Sequence, residues 1–339
     1  MNAHIQSQIS LKPYNTFGMD VTARWWLDIH DESGALVFIA DNRHSNAPVL
    51  VMGGGSNILF TKDFEGIILK NNIKGREVVR QDETSVWLRL GGGENWHETV
   101  LYTIAQGWGG MENLSLIPGS VGAAPIQNIG AYGVELKDMF DSLEALNLAT
   151  GATHVFSHAA CQFGYRDSIF KREARDKYLI TRVTLRLSRH PVLHTSYGDI
   201  QQELAQLGGE PDVRLVSEAV CRIRTRKLPD PAVTGNAGSF FKNPTLSAAQ
   251  FATLKAVWPD IPAYPQPDGS VKVPAAWLIQ ASGWKGFRNG NYGVHTQQAL
   301  VLVNYGGASG QDIFQLSEDI RQDVALKFGV HLEREVNIL

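Results

Sequence analysis

The chain has 339 residues, of which 43% are hydrophobic and 33 are glycine, and its formal net charge is −3. This length predicts two or three domains, and the composition is typical of an ordered globular protein with many tight turns. The slightly acidic balance argues against a general nucleic-acid or anionic-membrane surface, so we expect small-molecule partners, no nucleic acid and no membrane.

The first third of the chain reads as short strands separated by turns. It begins with MNAHIQSQISLKPYNTFG, which lacks the cationic start and apolar run of a secretory signal and so predicts a cytoplasmic protein. The β-rich runs ARWWLDI, PVLVM, GIILK and SVWLRL are bounded by turn residues. One helix is predicted among them, in WHETVLYTIAQG, because Trp96, Val100 and Ile104 recur at helical spacing before Gly107.

The rest of the chain mixes strands with two amphipathic helices. The runs SLEALNL, THVFS and KYLITRVTLRL predict an antiparallel sheet between Ser142 and Leu187. A helix that ends at LPDP is predicted from the apolar stripe Val213, Val216, Val220 and Ile223. A second helix, ending at Gly329, is predicted from Ile313, Leu316, Ile320, Val324 and Phe328. A final strand is predicted in VHLEREVNIL, and the order of elements indicates an α+β fold.

The first of three glycine-rich loops follows the strand PVLVM, in VLVMGGGSNILF. Its core is Gly53, Gly54, Gly55, Ser56 and Asn57. It is not a GxGxxG dinucleotide motif, because the third glycine is missing and no helix opens behind it, and the chain contains no GxxxxGK[ST] phosphate loop. Two interpretations remain, a phosphate-binding backbone and a tight turn between strands.

The second and third loops differ in what they predict. GGGENWHE opens the predicted helix, so Glu94 or Asn95 is expected to cap it. The uncharged LSLIPGSVGAAPIQNIGAYG contains prolines and glycines that exclude a stable membrane-spanning helix. Such density of small residues suits either backbone packed around a flat or polyphosphate ligand or a buried structural loop.

Several polar residues have both a structural and a functional interpretation. Arg166, in FGYRDSIFK, pairs with a carboxylate such as Asp167 or holds a substrate anion. Glu335 alternates with apolar neighbours and is expected to be exposed by that pattern. Cys161 and Cys221 lack metal or redox spacing and the histidines are scattered, so we predict reduced cysteines and no metal site.

Taken together, these motifs resemble the UDP-N-acetylenolpyruvoylglucosamine reductases, the MurB family of bacterial cell-wall flavoenzymes, in their longer, type I form. The resemblance runs in order through NTFG, GGGSN, IPGSVGAAPIQNIGAYGVE, FGYRDSIFK, RTRKLPDP, GNAGSFFKNP, YPQPDGSVK, VHTQQALVLVN and LEREV. It therefore covers nearly the whole chain.

The resemblance implies an α+β fold with an FAD-binding pair of subdomains of the vanillyl-alcohol-oxidase (PCMH) type and a C-terminal α+β substrate-binding domain. On this basis we expect FAD-binding subdomains at 1–70 and 71–205, a substrate-binding domain at 212–325, and a C-terminal strand at 326–339 that returns to the active site. We also expect a monomer.

The resemblance also implies where the ligands bind. Non-covalent FAD is expected to place its pyrophosphate along Gly53, Gly54, Gly55, Ser56 and Asn57. The flavin is expected to lie against Ile117, Pro118, Gly119, Ser120, Gly122, Ala123, Ile126, Gln127, Gly130 and Ala131. Substrate contacts carry over onto Tyr132, Tyr197, Arg224, Lys227, Asn243, Tyr264 and Gln298.

The family's chemistry carries over onto three residues. NADPH reduces the flavin, which then delivers hydride to the vinyl carbon of UDP-N-acetylglucosamine enolpyruvate. Arg166 and Glu335 are implied to stabilise the enolate, with Glu335 as a neutral and therefore buried hydrogen-bond donor, and Ser239 is implied to donate the proton. Lys242 or Lys227 is expected to steady the alkoxide that forms. A flavin oxidase of the same fold and a non-catalytic flavin or sugar-nucleotide sensor remain as alternatives.

Overall fold

The computed structural model describes residues 5–42 and 47–339. Residues 1–4 and 43–46, which belong to the predicted first subdomain, lie outside the described residues. The chain divides into two compact units. The first unit comprises Met1–Ile9, Thr22–Gly55 and Glu65–Arg226, and the second comprises Ser10–Val21, Ser56–Phe64 and Lys227–Leu339.

Strands and helices are interleaved along the described chain. The strands are β1 Gln6–Ser10, β2 Thr22–Ile29, β3 Val49–Met52, β4 Ile58–Leu59, β5 Phe64–Asn71, β6 Arg76–Gln81, β7 Ser85–Gly91, β8 Gly130–Ala131, β9 Val134–Glu135, β10 Phe140–Asn147, β11 Thr153–Ser157, β12 Tyr178–Ser188, β13 Thr245–Leu246, β14 Tyr264–Pro265, β15 Val271–Lys272, β16 Arg288–Asn289, β17 Tyr292–Val294, β18 Leu302–Asn304 and β19 Asn337–Ile338. The α-helices are α1 Glu32–Asn42, α2 Trp96–Ala105, α3 His158–Cys161, α4 Ile200–Leu207, α5 Val213–Lys227, α6 Ala248–Val257, α7 Ala275–Ala281 and α8 Gly310–Phe328.

The first unit is built on two sheets. One has the strand order β1-β2-β5-β3, with β3 parallel to β5, and α1 buries Ala35, Phe38 and Ile39 in the core beside it. The other has the order β11-β10-β12-β7-β6 and is antiparallel throughout, as alternating apolar residues at 142–187 predict. Helix α2 packs Trp96 and Val100 into the core of the second sheet.

The second unit has shorter strands and three helices. Helix α8 buries its whole predicted apolar stripe, and Gly329, at φ +66°, ends it in the left-handed conformation that glycine adopts without strain. Its small sheets are β13-β15-β14 and β16-β17-β18, and β19 runs parallel to β4. No helix within 5–42 or 47–339 is long and apolar enough to cross a bilayer.

The structure corrects two predicted elements. Helix α1 also interrupts the early strands, where only one helix was predicted. The pattern did not indicate α1, because Leu36 and Ala40 place apolar residues on its exposed face as well. The predicted final strand VHLEREVNIL is regular only at Asn337–Ile338.

The compact units also follow boundaries different from the four predicted ranges. The predicted substrate-binding range starts at 212, whereas the second unit resumes at Lys227. The physical reason is that α5 packs Val216, Val220 and Ile223 with Ile200 of the first unit.

Candidate active site

The first and third glycine-rich loops pack backbone against backbone within the first unit. A Cβ atom on Gly53 would lie 2.2 Å from the Ser120 Oγ atom, and one on Gly54 would lie 2.9 Å from the Gly119 Cα atom. A side chain at Gly54 would therefore force the loops apart, and one at Gly53 would displace the Ser120 side chain. We refer to this contact of Gly53 and Gly54 with Gly119 and Ser120 as the glycine cradle.

The second glycine-rich loop supports the cradle. The Trp96 N–H donates to the Gly119 carbonyl at 3.1 Å, and the Gly122 N–H donates to the Gly92 carbonyl at 2.8 Å. Asn95 caps α2 by accepting the Glu98 N–H at 3.0 Å, as one of the two capping alternatives predicts. The second loop thus has the structural role expected of it and also anchors the third.

Two polar groups in the cradle fit an anionic ligand. The Ser120 hydroxyl is buried and has no hydrogen-bond partner among the described residues. The Lys70 ammonium donates to the Gly53 carbonyl, and burial lowers the pKa of this lysine. Backbone without side chains at Gly53 and Gly54, an unsatisfied hydroxyl and a nearby cation fit the diphosphate of FAD.

The segment expected to line the flavin has one face in the core and one face open. Val121, Ala124 and Pro125 are buried, as are the predicted contacts Ser120 and Gly122. The other predicted contacts are exposed or half-buried, namely Ile117, Pro118, Gly119, Ala123, Ile126, Gln127, Gly130 and Ala131. Most of the predicted lining residues are therefore accessible to a ligand.

Arg166 lies in a tight turn of the first unit. The Gly164 N–H donates to the Asp167 carbonyl at 2.9 Å, which leaves Arg166 at φ +52°. Its Nη2 atom donates to the Gly130 carbonyl at 2.6 Å. Asp167 forms its ion pair with Arg172. The guanidinium is thus attached to the predicted flavin-lining segment.

Asn128 and Ser168 connect that turn to the same segment, and the sequence analysis missed both. Asn128 Nδ2 donates to the Gly164 carbonyl at 3.0 Å, and Ser168 Oγ donates to the Ile126 carbonyl at 2.7 Å. Both residues are fully buried. The only signal in the sequence was the residue type at position 128. Asparagine tolerates the left-handed region better than most residues, and Asn128 adopts that conformation, at φ +45°.

Three predicted substrate contacts lie together in the first unit. The rings of Tyr132 and Tyr197 meet edge to face with centroids 6.4 Å apart. Burial raises the pKa of Tyr132, an effect that the nearby Arg224 charge opposes. Burial and the charge of Arg166 lower the pKa of Arg224, and its Nε atom is enclosed without a partner among the described residues.

His97 holds the start of the flavin-lining segment. Its Nδ1 atom accepts the Leu116 N–H at 3.0 Å, so the proton of the neutral ring lies on Nε2. Leu116 has φ +59° and precedes Ile117. Burial and the positive charge of Arg224 lower the pKa of His97. The sequence offered no signal for this role.

Ser239 is fixed in the second unit by its backbone neighbours. A Cβ on Gly235 would lie 2.3 Å from the Phe17 carbonyl oxygen, and Gly238 has φ +69°, so both positions require glycine. Ser239 forms an antiparallel bridge with Val301, and the Phe240 N–H donates to the Leu300 carbonyl at 2.8 Å. The hydroxyl is thus carried by a well-defined backbone.

Glu335 lies beside this segment. Its N–H donates to the Phe240 carbonyl at 2.8 Å, and its own carbonyl accepts Asn57 Nδ2 at 3.3 Å. Glu335 is half-buried, so the prediction from the alternating pattern that its side chain is exposed is wrong. The alternating pattern misjudged the exposure of Glu335, because exposure depends on distant segments that pack against this part of the chain.

The remaining predicted contacts of the second unit have varied surroundings. Asn243 Oδ1 accepts the Ala275 N–H at 2.9 Å, and Gln298 Oε1 accepts the Leu300 N–H at 3.3 Å. Tyr264 and Lys227 are exposed. Lys242 forms an ion pair with Glu333, so its ammonium already has a carboxylate partner.

Each unit therefore gathers part of the predicted set. The first unit holds the glycine cradle, Gly55, the flavin-lining residues, Arg166, Tyr132, Tyr197 and Arg224. The second unit holds Ser56, Asn57, Lys227, Ser239, Asn243, Tyr264, Gln298 and Glu335.

Two family models match the chain. One is described as the C-terminal domain of UDP-N-acetylenolpyruvoylglucosamine reductase and matches residues 230–339. The other is described as an FAD binding domain and matches residues 31–157.

Curated relatives match over almost the full length. The UDP-N-acetylenolpyruvoylglucosamine reductase of Pseudomonas aeruginosa is 52% identical over 100% of both chains. That of Burkholderia lata is 52% identical over 96% of this chain and 94% of the relative. That of Amoebophilus asiaticus is 48% identical over 99% of both.

Solved structures share the fold. The UDP-N-acetylenolpyruvylglucosamine reductase of Thermus caldophilus aligns with a TM-score of 0.68 at 24% identity, over 99% of each chain. A 4-ethylphenol oxidase from Gulosibacter chungangensis aligns with a TM-score of 0.50 at 10% identity, over 97% of this chain and 84% of the oxidase. These structural matches and the two family models confirm the predicted α+β fold class.

Proposed function

This chain belongs to the UDP-N-acetylenolpyruvoylglucosamine reductase family, FAD-dependent oxidoreductases of peptidoglycan precursor biosynthesis, and from that premise we propose its reaction. The substrate is UDP-N-acetylglucosamine enolpyruvate, and the product is UDP-N-acetylmuramate. NADPH supplies the hydride. About half of all positions are identical to those of the Pseudomonas aeruginosa reductase over the full length of both chains. This identity supports the assignment.

The glycine cradle is the observation that carries the proposal. Gly53 and Gly54 bring bare backbone against Gly119 and Ser120, where the Ser120 hydroxyl has no partner among the described residues. We assign the cradle, with Ser56 and Asn57, to the FAD diphosphate. When bound there, FAD would supply hydride chemistry, receiving hydride from NADPH for delivery to the terminal vinyl carbon of the substrate.

Arg166 and Glu335 are assigned to the charge that develops in this step. Once the vinyl carbon has gained hydride, negative charge builds on the neighbouring carbon and its carboxylate. The Arg166 guanidinium, held by the Gly130 carbonyl, pairs with that carboxylate. Glu335 acts as a neutral carboxylic acid that donates a hydrogen bond to the enolate oxygen.

Ser239 is assigned as the proton donor. Its hydroxyl O–H bond breaks as a C–H bond forms at the carbon that carries the negative charge, and solvent then reprotonates the alkoxide. A donor of this kind must keep its proton until the carbanion appears, so Ser239 needs no adjacent base. Lys242, whose ammonium pairs with Glu333, or Lys227 is proposed to steady the alkoxide.

The substrate contacts carried over by the resemblance complete the proposal. They are Tyr132, Tyr197, Arg224, Lys227, Asn243, Tyr264 and Gln298. We keep the monomeric state and the cytoplasmic location as predictions.

An anaerobic titration tests the reaction. NADPH should bleach the yellow holoprotein, and only the enolpyruvyl sugar nucleotide should restore its colour without oxygen. Bleaching by a small alcohol and recolouring on admission of oxygen, with no response to the sugar nucleotide, would identify a flavin oxidase instead. Binding of ligands without any bleaching would identify a sensor.

A further inference from the structure

The side-chain amide of Asn113 joins two separate segments of the first unit. Asn113 is fully buried in the short turn Glu112–Leu114. Its Nδ2 atom donates to the Tyr132 carbonyl at 3.0 Å and to the His194 carbonyl at 2.8 Å. Because both partners are carbonyl oxygens, only the NH₂ group of the amide can face them, which fixes the orientation of the side chain.

Asn113 makes these two hydrogen bonds although its own acceptor is left unsatisfied among the described residues. The Oδ1 atom of the same amide is buried and has no partner among the described residues. A buried acceptor without a hydrogen bond costs free energy. The residue therefore uses both of its donor hydrogens for the two carbonyls and leaves its acceptor unsatisfied.

The two joined segments carry the tyrosines assigned to the substrate. One is Tyr132 itself, held at φ +51°, a conformation unfavourable for an aromatic residue and kept only where surrounding bonds impose it. The other runs from His194 without regular structure to Tyr197. The tyrosine rings meet edge to face, and a Cβ atom on Gly133, the residue after Tyr132, would lie 3.5 Å from the Tyr197 Cβ atom.

We propose that Asn113 is a positioning residue, which sets the separation of Tyr132 and Tyr197 and thereby the affinity for the enolpyruvyl substrate. This inference rests on the proposed function, because the role of the two tyrosines belongs to it. Asn113 acts through their backbone carbonyls and does not touch the substrate itself. Misplacement of such contacts by a fraction of an ångström is enough to weaken binding.

Asn113→Asp is the sharpest test, because it preserves size and shape but replaces the NH₂ donor by an oxygen that faces two carbonyls. We expect the KM for the enolpyruvyl substrate to rise about tenfold or more, while reduction of the flavin by NADPH stays within about twofold. Asn113→Ser, which retains one donor and is neutral, is the second variant should the aspartate prevent folding. We expect it to give a smaller rise in KM.

Ser115→Ala is the matched control. Ser115 is equally buried at the end of the same turn, and the change removes its hydrogen bonds to the Glu112 carbonyl and the Ser217 hydroxyl, which involve neither tyrosine segment. We expect it to lower Tm and leave KM within about twofold of the parent protein. Equal rises in KM for the control and for both Asn113 variants would show that Asn113 has only a structural role. That result would overturn the proposal.

A double-variant measurement separates positioning from general destabilisation. In a Tyr197→Ala background, Asn113→Ser should raise KM less than it does in the parent protein, because one of the two contacts that it positions is already gone. Strictly multiplicative effects on KM would contradict the inference. A parent protein that the sugar nucleotide fails to reoxidise would overturn the proposed function, whereas normal turnover with unchanged KM in the Asn113 variants overturns this inference alone.

Discussion

The backbone N–H of Glu335 donates to the carbonyl oxygen of Phe240 over 2.8 Å, so the last segment of the chain runs beside the residue that follows Ser239. The Lys242 N–H, which donates to the Glu333 carbonyl at 2.9 Å, continues this pairing. Two groups that are far apart in sequence are thereby held on adjoining backbone. This pairing supports the proposal that Ser239 and Glu335 act in the same step.

The charge state of Glu335 is open to a direct test. If Glu335 donates a hydrogen bond as a neutral acid, Glu335→Gln keeps a donor and should retain much of the rate of flavin reoxidation by the substrate. Glu335→Ala should slow that rate about 10²- to 10³-fold, the usual cost of removing such a donor. Rapid-mixing measurement distinguishes the two variants. Equal losses in both would argue that Glu335 acts through its negative charge.

The glycine cradle predicts a loss of FAD affinity when Gly54 gains a side chain. In Gly54→Ala the new Cβ would lie 2.9 Å from the Gly119 Cα atom, so the loops must separate. We expect the Kd for FAD to rise about tenfold or more, measured by flavin fluorescence on reconstitution of the apoprotein. Gly34→Ala is the control, because its Cβ would meet only Asp31 Oδ1 at 3.5 Å. Tight FAD binding by Gly54→Ala would remove the cradle from the cofactor site.

Lys70 is expected to contribute to the same affinity. Its ammonium is bonded to the Gly53 carbonyl, which directs a cation at the cradle and offsets a carbonyl dipole that would repel phosphate. Lys70→Met should raise the Kd for FAD about tenfold and make that Kd less sensitive to salt. Lys62→Met, at an exposed position, should change neither quantity. An unaltered salt dependence in Lys70→Met would contradict the electrostatic part of this account.

The lowered pKa of His97 predicts that the stability of the protein depends on pH. Burial and the Arg224 charge lower its pKa in the folded protein, with Glu98 opposing, whereas the unfolded chain titrates near the ordinary value of 6.5. The contribution of neutral His97 to the free energy of unfolding is therefore complete above about pH 6.5. It is lost as the pH falls from there towards the lowered pKa of the folded protein. His97→Asn keeps an acceptor for the Leu116 N–H without titrating. Its Tm should fall less between pH 7 and pH 5.5 than that of the parent protein, and identical slopes would refute the role.

Local patterns predicted three of the eight α-helices in the described part of the chain, namely α2, α5 and α8, and the strands β2, β3, β5, β7, β10, β11 and β12, but not α1, α3, α4, α6 or α7. The apolar stripes of α5 and α8 and the alternation in β10, β11 and β12 depend only on neighbours in sequence, and all were identified. Helix α1 escaped because apolar residues occupy its exposed face. The resemblance supplied the site residues, which local pattern alone left undecided.

Contacts between distant segments were beyond the reach of the sequence. That Gly53 meets Ser120, that Asn128 bonds to Gly164 and that Asn113 joins Tyr132 to His194 all depend on tertiary packing. The same dependence explains why Glu335 is half-buried although its alternating pattern favoured exposure. The motifs that contain Gly53, Ser120, Asn128 and Glu335 do not by themselves reveal these contacts.

The role of Ser239 is tested most directly by measuring the two half-reactions separately in Ser239→Ala. Reduction of the flavin by NADPH should proceed at nearly the parental rate, because no proton from Ser239 is needed there. Reoxidation by UDP-N-acetylglucosamine enolpyruvate should slow about 10²- to 10⁴-fold, the contribution typical of a positioned general acid. Equal losses in both half-reactions, or reoxidation at the parental rate, would contradict the assignment of Ser239 as the proton donor.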